Sequence, residues 1–200
     1  MQDLDRIFGK RSHVAVLRVL HRAEEELSGR EIQRRAGLSN RAAMTALEEL
    51  DHLRVVLCSV HPACHRYQVN RRHYLWSKAL RMALETEELF WDDLRKVIRR
   101  VLKPVPIAAI VTGPLARGIP GEQRDLALHL LYRSGRDRLQ SYRGLERLQN
   151  RIDERYGLDV KATFMDLRSM ENAEYASLWN RIAREGLLLF GDLPVLQEPD

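Results

Sequence analysis

An α+β chain of two domains is what this sequence predicts, and three observations carry the prediction. The first half repeats apolar residues at helical spacing and then alternates them once, as a hairpin does. The chain turns at Lys103-Pro104-Val105-Pro106, after which strand-like and helical segments alternate. Its 200 residues, 44% hydrophobic, are enough for two small cores.

The elements follow in order. A helix is expected over Ser12 to Glu25, with Val16, Leu17, Leu20 and Ala23 on one face. Ser28 stands three residues before Glu31 in capping-box spacing. The short helix it opens turns Ile32 and Ala36 inward and stops at Gly37. Ser39 caps the next helix, whose apolar stripe is Ala43, Ala46, Leu47 and Leu50. After Leu53, VVLCSV and RYQV read as two strands around a turn containing Pro62. A long helix is expected from Leu80 to Leu102. Leu80, Leu84, Trp91, Leu94, Ile98 and Val101 form a heptad-like seam, interrupted at Glu87. Such a seam packs on its own chain or on a second copy in a homodimer, and spacing does not choose between them.

In the second half, strands are expected at Ile107 to Val111, Asp125 to Tyr132 and Leu158 to Asp166. Helices are expected at about Ser141 to Arg155 and Ala173 to Glu185. The expected division is 1–79, a connecting or dimerisation helix 80–103, 104–192, and a tail 193–200 rich in proline and acid.

Net charge is +5 with a pI near 9.5, and basic residues crowd the first half. That balance is compatible with nucleic acid. No apolar stretch approaches the roughly 20 residues that span a bilayer, and no basic start leads into an apolar run. Two cysteines do not make a disulfide framework. A soluble cytoplasmic protein without a membrane partner is the expectation.

The order helix, short helix, Gly-Ser turn, helix, hairpin resembles the winged helix-turn-helix of arsenic-repressor-like bacterial regulators over roughly residues 10 to 75. The resemblance rests on Leu27-Ser28-Gly29-Arg30-Glu31-Ile32, Ala36-Gly37-Leu38-Ser39, Ala46-Leu47, Leu50, and Arg66-Tyr67-Gln68-Val69-Asn70. It implies double-stranded DNA as partner. Ser39, Asn40, Arg41, Met44 and Thr45 would enter the major groove, where Arg reads guanine and Asn reads adenine. Arg66 on the wing, with Arg71 and Arg72 after it, would meet the backbone. Glu48 and Glu49 oppose this by repelling phosphate. Where the family often has glycine, this chain has Arg54, which must avoid the left-handed region or bear a cost of about 1–2 kcal/mol.

TGPLARGIPGEQRDLALHLLY, Thr112 to Tyr132, resembles the active-site motif of minimal nucleotidyltransferases, and the likeness extends over about residues 86 to 192. Gly113 matches the glycine of the phosphate-cradling Gly-Ser turn, Ala116, Arg117 and Gly118 match the Ala-Arg-Gly turn that follows it, and Asp125 matches the first metal-binding aspartate. The serine position is Pro114, which has neither hydroxyl nor N–H. The second aspartate position is Ala127, and the third acid's place is taken by Lys161. Hard divalent cations need carboxylate oxygens. Gly113, Arg117, Gly118 and Asp125 are therefore expected to be vestigial, with no cofactor and no catalysis. Asp159 and Asp166 are nearby in sequence but are expected to face away.

Cys58, His61, Cys64 and His65 can each ligate zinc, although their spacing is not a standard ligand set. The bland reading is a hairpin with free thiols. Trp76, Trp91 and Trp179 read as packing residues. The function expected is a cytoplasmic, dimeric DNA-binding transcriptional regulator with a pseudo-nucleotidyltransferase domain for dimerisation, partner binding or sensing. The alternatives are an active nucleotidyltransferase modifying a protein or RNA, and an antitoxin-like protein with a protein partner.

Overall fold

The computed structural model describes residues 3–62, 64–118 and 124–192. The fold is α+β, divided into two compact units, Met1–Glu88 and Leu89–Asp200. The expected tail, 193–200, lies outside the described residues.

The first unit contains α1 (Asp3–Phe8), α2 (Arg11–His21), β1 (Leu27–Ser28), α3 (Gly29–Ala36), α4 (Asn40–His52), β2 (Val56–Val60) and β3 (His65–Val69). A π-helical turn (Trp76–Leu80) then runs into α5 (Arg81–Glu88). Its sheet is antiparallel in the order β1-β3-β2, with Cys58 opposite Tyr67 and Ser59 opposite Arg66. Val16, Leu17, Ile32, Leu47, Leu50 and Val56 form the centre of its core. The helix expected to reach Glu25 ends at His21. Glu24, Glu25 and Glu26 would have placed three carboxylates against the negative helix end.

The helix expected to run unbroken from Leu80 to Leu102 is two helices. α5 ends at Glu88 and α6 (Phe90–Val101) begins after Leu89, where the units divide. Leu80 and Leu84 bury in the first core, while Leu94 and Ile98 bury in the second. At the interruption, Glu87 and Glu88 turn to Arg18 and Arg22, 2.6 and 2.7 Å away. The chain itself buries Leu80, Leu84, Leu94 and Ile98 of the seam and leaves Trp91 and Val101 half-buried. A dimer helix therefore gets no support from the seam.

The second unit is a four-stranded sheet in the order β6-β5-β4-β7, formed by β4 (Ala108–Thr112), β5 (Asp125–Tyr132), β6 (Asp159–Asp166) and β7 (Leu187–Gly191). β5 pairs parallel with β6, and the other pairs are antiparallel. Between β5 and β6 lie α7 (Gly135–Tyr142) and α8 (Leu145–Tyr156). A 3-10 turn (Leu167–Glu171) and α9 (Ala173–Glu185) follow β6. The helix expected at 141–155 is thus broken at Gly144, which lets the chain approach Leu102 closely. Alternation on the strands separates two apolar layers. Ala109, Val111, Leu126, Leu128 and Leu130 meet α6 and α8 through Leu94, Ile98, Leu148 and Ile152. Ala108, Ile110, Leu131 and Met165 meet Trp179 and Ile182 of α9. That second layer covers only one end of its face, and the polar residues of β5 and β6 occupy the other.

Candidate functional site

In the first unit the candidate surface is built by local hydrogen bonds. Ser28 Oγ accepts from Glu31 N at 3.3 Å, starting α3. Gly37, at φ 64°, ends it. Gly37 N donates to Arg34 O and Leu38 N to Gln33 O, the paired bonds of a Schellman motif. Ser39 Oγ then accepts from Ala42 N at 3.2 Å and starts α4. With Ala43, Ala46, Leu47 and Leu50 buried, Asn40, Arg41, Thr45 and Glu48 must face outward. Met44 does not join them fully. Its thioether lies over Gly29, so tightly that a Cβ there would be 3.1 Å from the sulfur. Of the α4 candidates, Met44 is the packing residue.

Glu49 does not act as a free anion. Lys10 Nζ lies 2.6 Å away and His13 Nε2 2.9 Å away, and the Lys10 bond holds its carboxyl below the usual range. Glu48 remains the acidic residue on the outward face.

The hairpin side is organised by Glu26. Its carboxylate accepts from Ser59 Oγ at 3.0 Å and Gln68 Nε2 at 2.8 Å, and its carbonyl accepts from Arg66 Nη1 at 3.2 Å. That bond uses one of Arg66's five donors and leaves the guanidinium exposed. Arg72 is exposed beside Asn70, whose Oδ1 accepts from Arg72 N. Arg71 lines a cavity of about 290 Å³ with Leu20, Glu24, Glu25 and Val69, a setting different from that of Arg72.

The four zinc candidates do not converge. Cys58 packs on the core across from Tyr67, where burial first and then the neighbouring thiol push the phenol up to about 12. His61 lies 3.4 Å from Glu26. Cys64 is exposed, and His65 pairs with Val60 at the exposed hairpin end. No group of three or more His, Cys, Asp or Glu among the described residues is placed to hold a metal ion. Cys58 and His65 share one face of the hairpin but stand at its middle and its end, while His61 and Cys64 lie outside both strands.

In the second unit, β4 ends at Thr112 and Gly113 turns at φ 89°. Arg117 N then donates to Gly113 O at 3.3 Å. Gly118 closes the turn at φ 63°, and Arg117 is exposed. Asp125, Ala127 and His129 alternate onto one face of β5. Ala127 pairs with Thr112 on one side and Lys161 on the other. The Lys161 ammonium donates to the Asp125 carboxylate, and that bond raises the lysine's pKa.

One expectation is corrected here. Asp159 pairs with Asp125 and lies two residues from Lys161, so it shares their face. Asp166 does leave the site. It is buried, accepts from Ser169 N at 3.0 Å and lies 3.1 Å from Arg138 Nε. The sequence reading also missed His129. Its Nε2 is 2.9 Å from Thr112 Oγ1, and burial lowers its pKa, which favours the neutral ring. Two-residue spacing from Ala127 was the available signal.

No protein-family model and no curated protein matches the chain. Among solved structures, a toxin-antitoxin with AMP-PNP is similar at 18% identity, covering 51% of this chain and 73% of that chain, with a TM-score of 0.35. Human N-acetylserotonin methyltransferase in complex with SAM is similar at 14% identity, covering 76% and 44%, with a TM-score of 0.32. Likenesses this weak carry no argument about fold or function. No helix among the described residues is long and apolar enough to cross a membrane.

Proposed function

We propose that the chain is a double-stranded DNA-binding transcriptional regulator whose first unit is a winged helix-turn-helix. The observation that carries this reading is the outward face of α4. Asn40, Arg41 and Thr45 project there opposite a fully buried stripe, at the N-terminal end of a helix held by the Ser39 cap. Arg and Asn at such positions make bidentate contacts to base edges. Arg66 and Arg72 supply exposed cations for phosphates. Neutralisation of Glu49 by Lys10 removes one of the two acidic residues that oppose the reading.

The second unit is proposed to be a nucleotidyltransferase-like domain without catalysis, serving dimerisation, partner binding or sensing. Lys161 supports this. It bonds to the remaining aspartate of the motif, and the neighbouring position is an alanine. A divalent cation there would meet an ammonium and lack the ligands it needs.

Gel shifts of the full chain against fragments of its own genome, its own promoter included, test the first unit. Arg41→Ala should cost about 1–3 kcal/mol and relax preference at one base position. Arg66→Ala should weaken all sequences alike and reduce the salt slope by about 1. Binding no tighter than to random DNA at physiological salt defeats the regulator reading. Transfer from labelled nucleotide with Mg²⁺ or Mn²⁺, abolished by Asp125→Ala, defeats the pseudoenzyme reading.

A further inference from the structure

The second unit carries a basic groove outside both sites described above. α6 and α8 run antiparallel, as the Asp93–Arg155 pair at one end and the Leu102–Gly144 contact at the other require. Between them lies a cavity of about 350 Å³ lined by Arg100, Val101, Arg147, Asn150, Arg151 and Glu154. On α8, residues 147, 150, 151 and 154 fall on one side of the helix. Val101 is half-buried, and the three arginines are exposed.

A cavity in the first unit provides an internal comparison. It too is lined by three arginines, Arg18, Arg22 and Arg35. Each of those is neutralised, by Glu87 at 2.6 Å, Glu88 at 2.7 Å and Glu31 respectively. Around the α6–α8 groove, no carboxylate among the described residues lies within 4.0 Å of a guanidinium nitrogen of Arg100, Arg147 or Arg151. Glu154 lines the groove without reaching them. Arg147 and Arg151 are also like charges four residues apart on one helix face, an arrangement that repels. Three guanidiniums without a carboxylate partner among the described residues, and an amide, around one groove are complementary to an anion.

We propose that this groove is a contact for the phosphate backbone of double-stranded DNA, separate from the base-reading face of α4. The inference rests on the DNA-binding reading of the first unit. A site for one small anion would fix its donors by burial, whereas these arginines are exposed and suit a repeating row of phosphates. Val101 and the stems of the arginines give the groove an apolar floor without base specificity.

The test uses the full chain and a labelled random-sequence duplex, with anisotropy followed across a fourfold rise in salt. Each guanidinium that neutralises a phosphate contributes about 0.9 to the salt slope. The triple variant Arg100→Ala, Arg147→Ala, Arg151→Ala should therefore lower the slope by about 2.7. Over that salt range it would lose about 40-fold less affinity than the native chain does. Base preference measured on genomic fragments should stay unchanged. Glu154→Gln, which removes the groove's anion without removing a contact, should tighten binding. Native DNA binding with an unchanged slope in the triple variant overturns the groove alone and leaves the α4 reading standing. Absence of DNA binding by the native chain overturns both. Inorganic phosphate that competes at matched ionic strength for the groove, with the DNA slope unaffected by the variant, assigns the groove to a free anion and overturns the proposal.

Discussion

Arg54→Gly should stabilise the first unit, although it deletes a charged side chain and makes no new contact. α4 ends in the same pair of bonds as α3. Val55 N donates to Leu50 O at 3.1 Å and Arg54 N to Asp51 O at 2.8 Å. The residue in the left-handed position is glycine at the end of α3, with φ 64°, but arginine at the end of α4, with φ 59°. A non-glycine residue there costs about 1–2 kcal/mol. Introducing glycine costs about 0.4–1 kcal/mol through the unfolded chain. The exposed Arg54–Asp51 pair, 3.7 Å apart, contributes close to nothing. The net gain is about 0.8 kcal/mol, or roughly 3–6 °C in the midpoint of a unit this size. Gly37 provides the mirror experiment. A Cβ at Gly37 meets nothing within 4 Å, so Gly37→Ala should lower the midpoint through backbone strain alone. Arg54→Ala retains the strain and should change little. Scanning calorimetry of the full chain measures all three. A midpoint unchanged or lowered in Arg54→Gly, with Gly37→Ala destabilising as expected, refutes the reasoning.

Two further outcomes follow from the ion pairs. Ala127→Asp combined with Lys161→Asp should create a divalent-cation site beside Asp125. Mn²⁺ titration by calorimetry should then detect binding that the native chain lacks, because the ammonium has been replaced by a third carboxylate on one face. Equal Mn²⁺ affinity in both proteins contradicts that role for Lys161. The Arg18 bond holds the Glu87 carboxyl below its ordinary range. The folded chain therefore binds fewer protons there than the unfolded chain. The pair's stabilisation is present above the ordinary glutamate range near 4.5 and is lost as pH falls through the lowered folded value. Both side chains are largely exposed, so the contribution is under about 1 kcal/mol. Urea unfolding between about pH 5 and 3 should show a smaller acid loss in Glu87→Gln than in the native chain, and equal losses contradict it.

The local devices were legible in the sequence because their partners lie within one helical turn. Ser28, Gly37 and Ser39 bond to residues three or four positions away, so spacing alone identifies them. The chemistry absent from the second unit was legible too, since Pro114, Ala127 and Lys161 lack the required groups in any conformation. Only the tertiary structure decided what depends on long-range pairing. The β5–β6 register brought Asp159 to Asp125 and carried Lys161 onto its carboxylate. Packing across α3 and α4 turned Met44 over Gly29, and the hairpin dispersed the cysteines and histidines. The seam of one expected helix was shared between two cores at Leu89, because periodicity identifies an apolar face but not the surface that covers it. The arginines between α6 and α8, without a carboxylate partner among the described residues, emerged in the same way. An arginine's charge is evident from its residue type, while the presence or absence of a neutralising carboxylate depends on the fold around it.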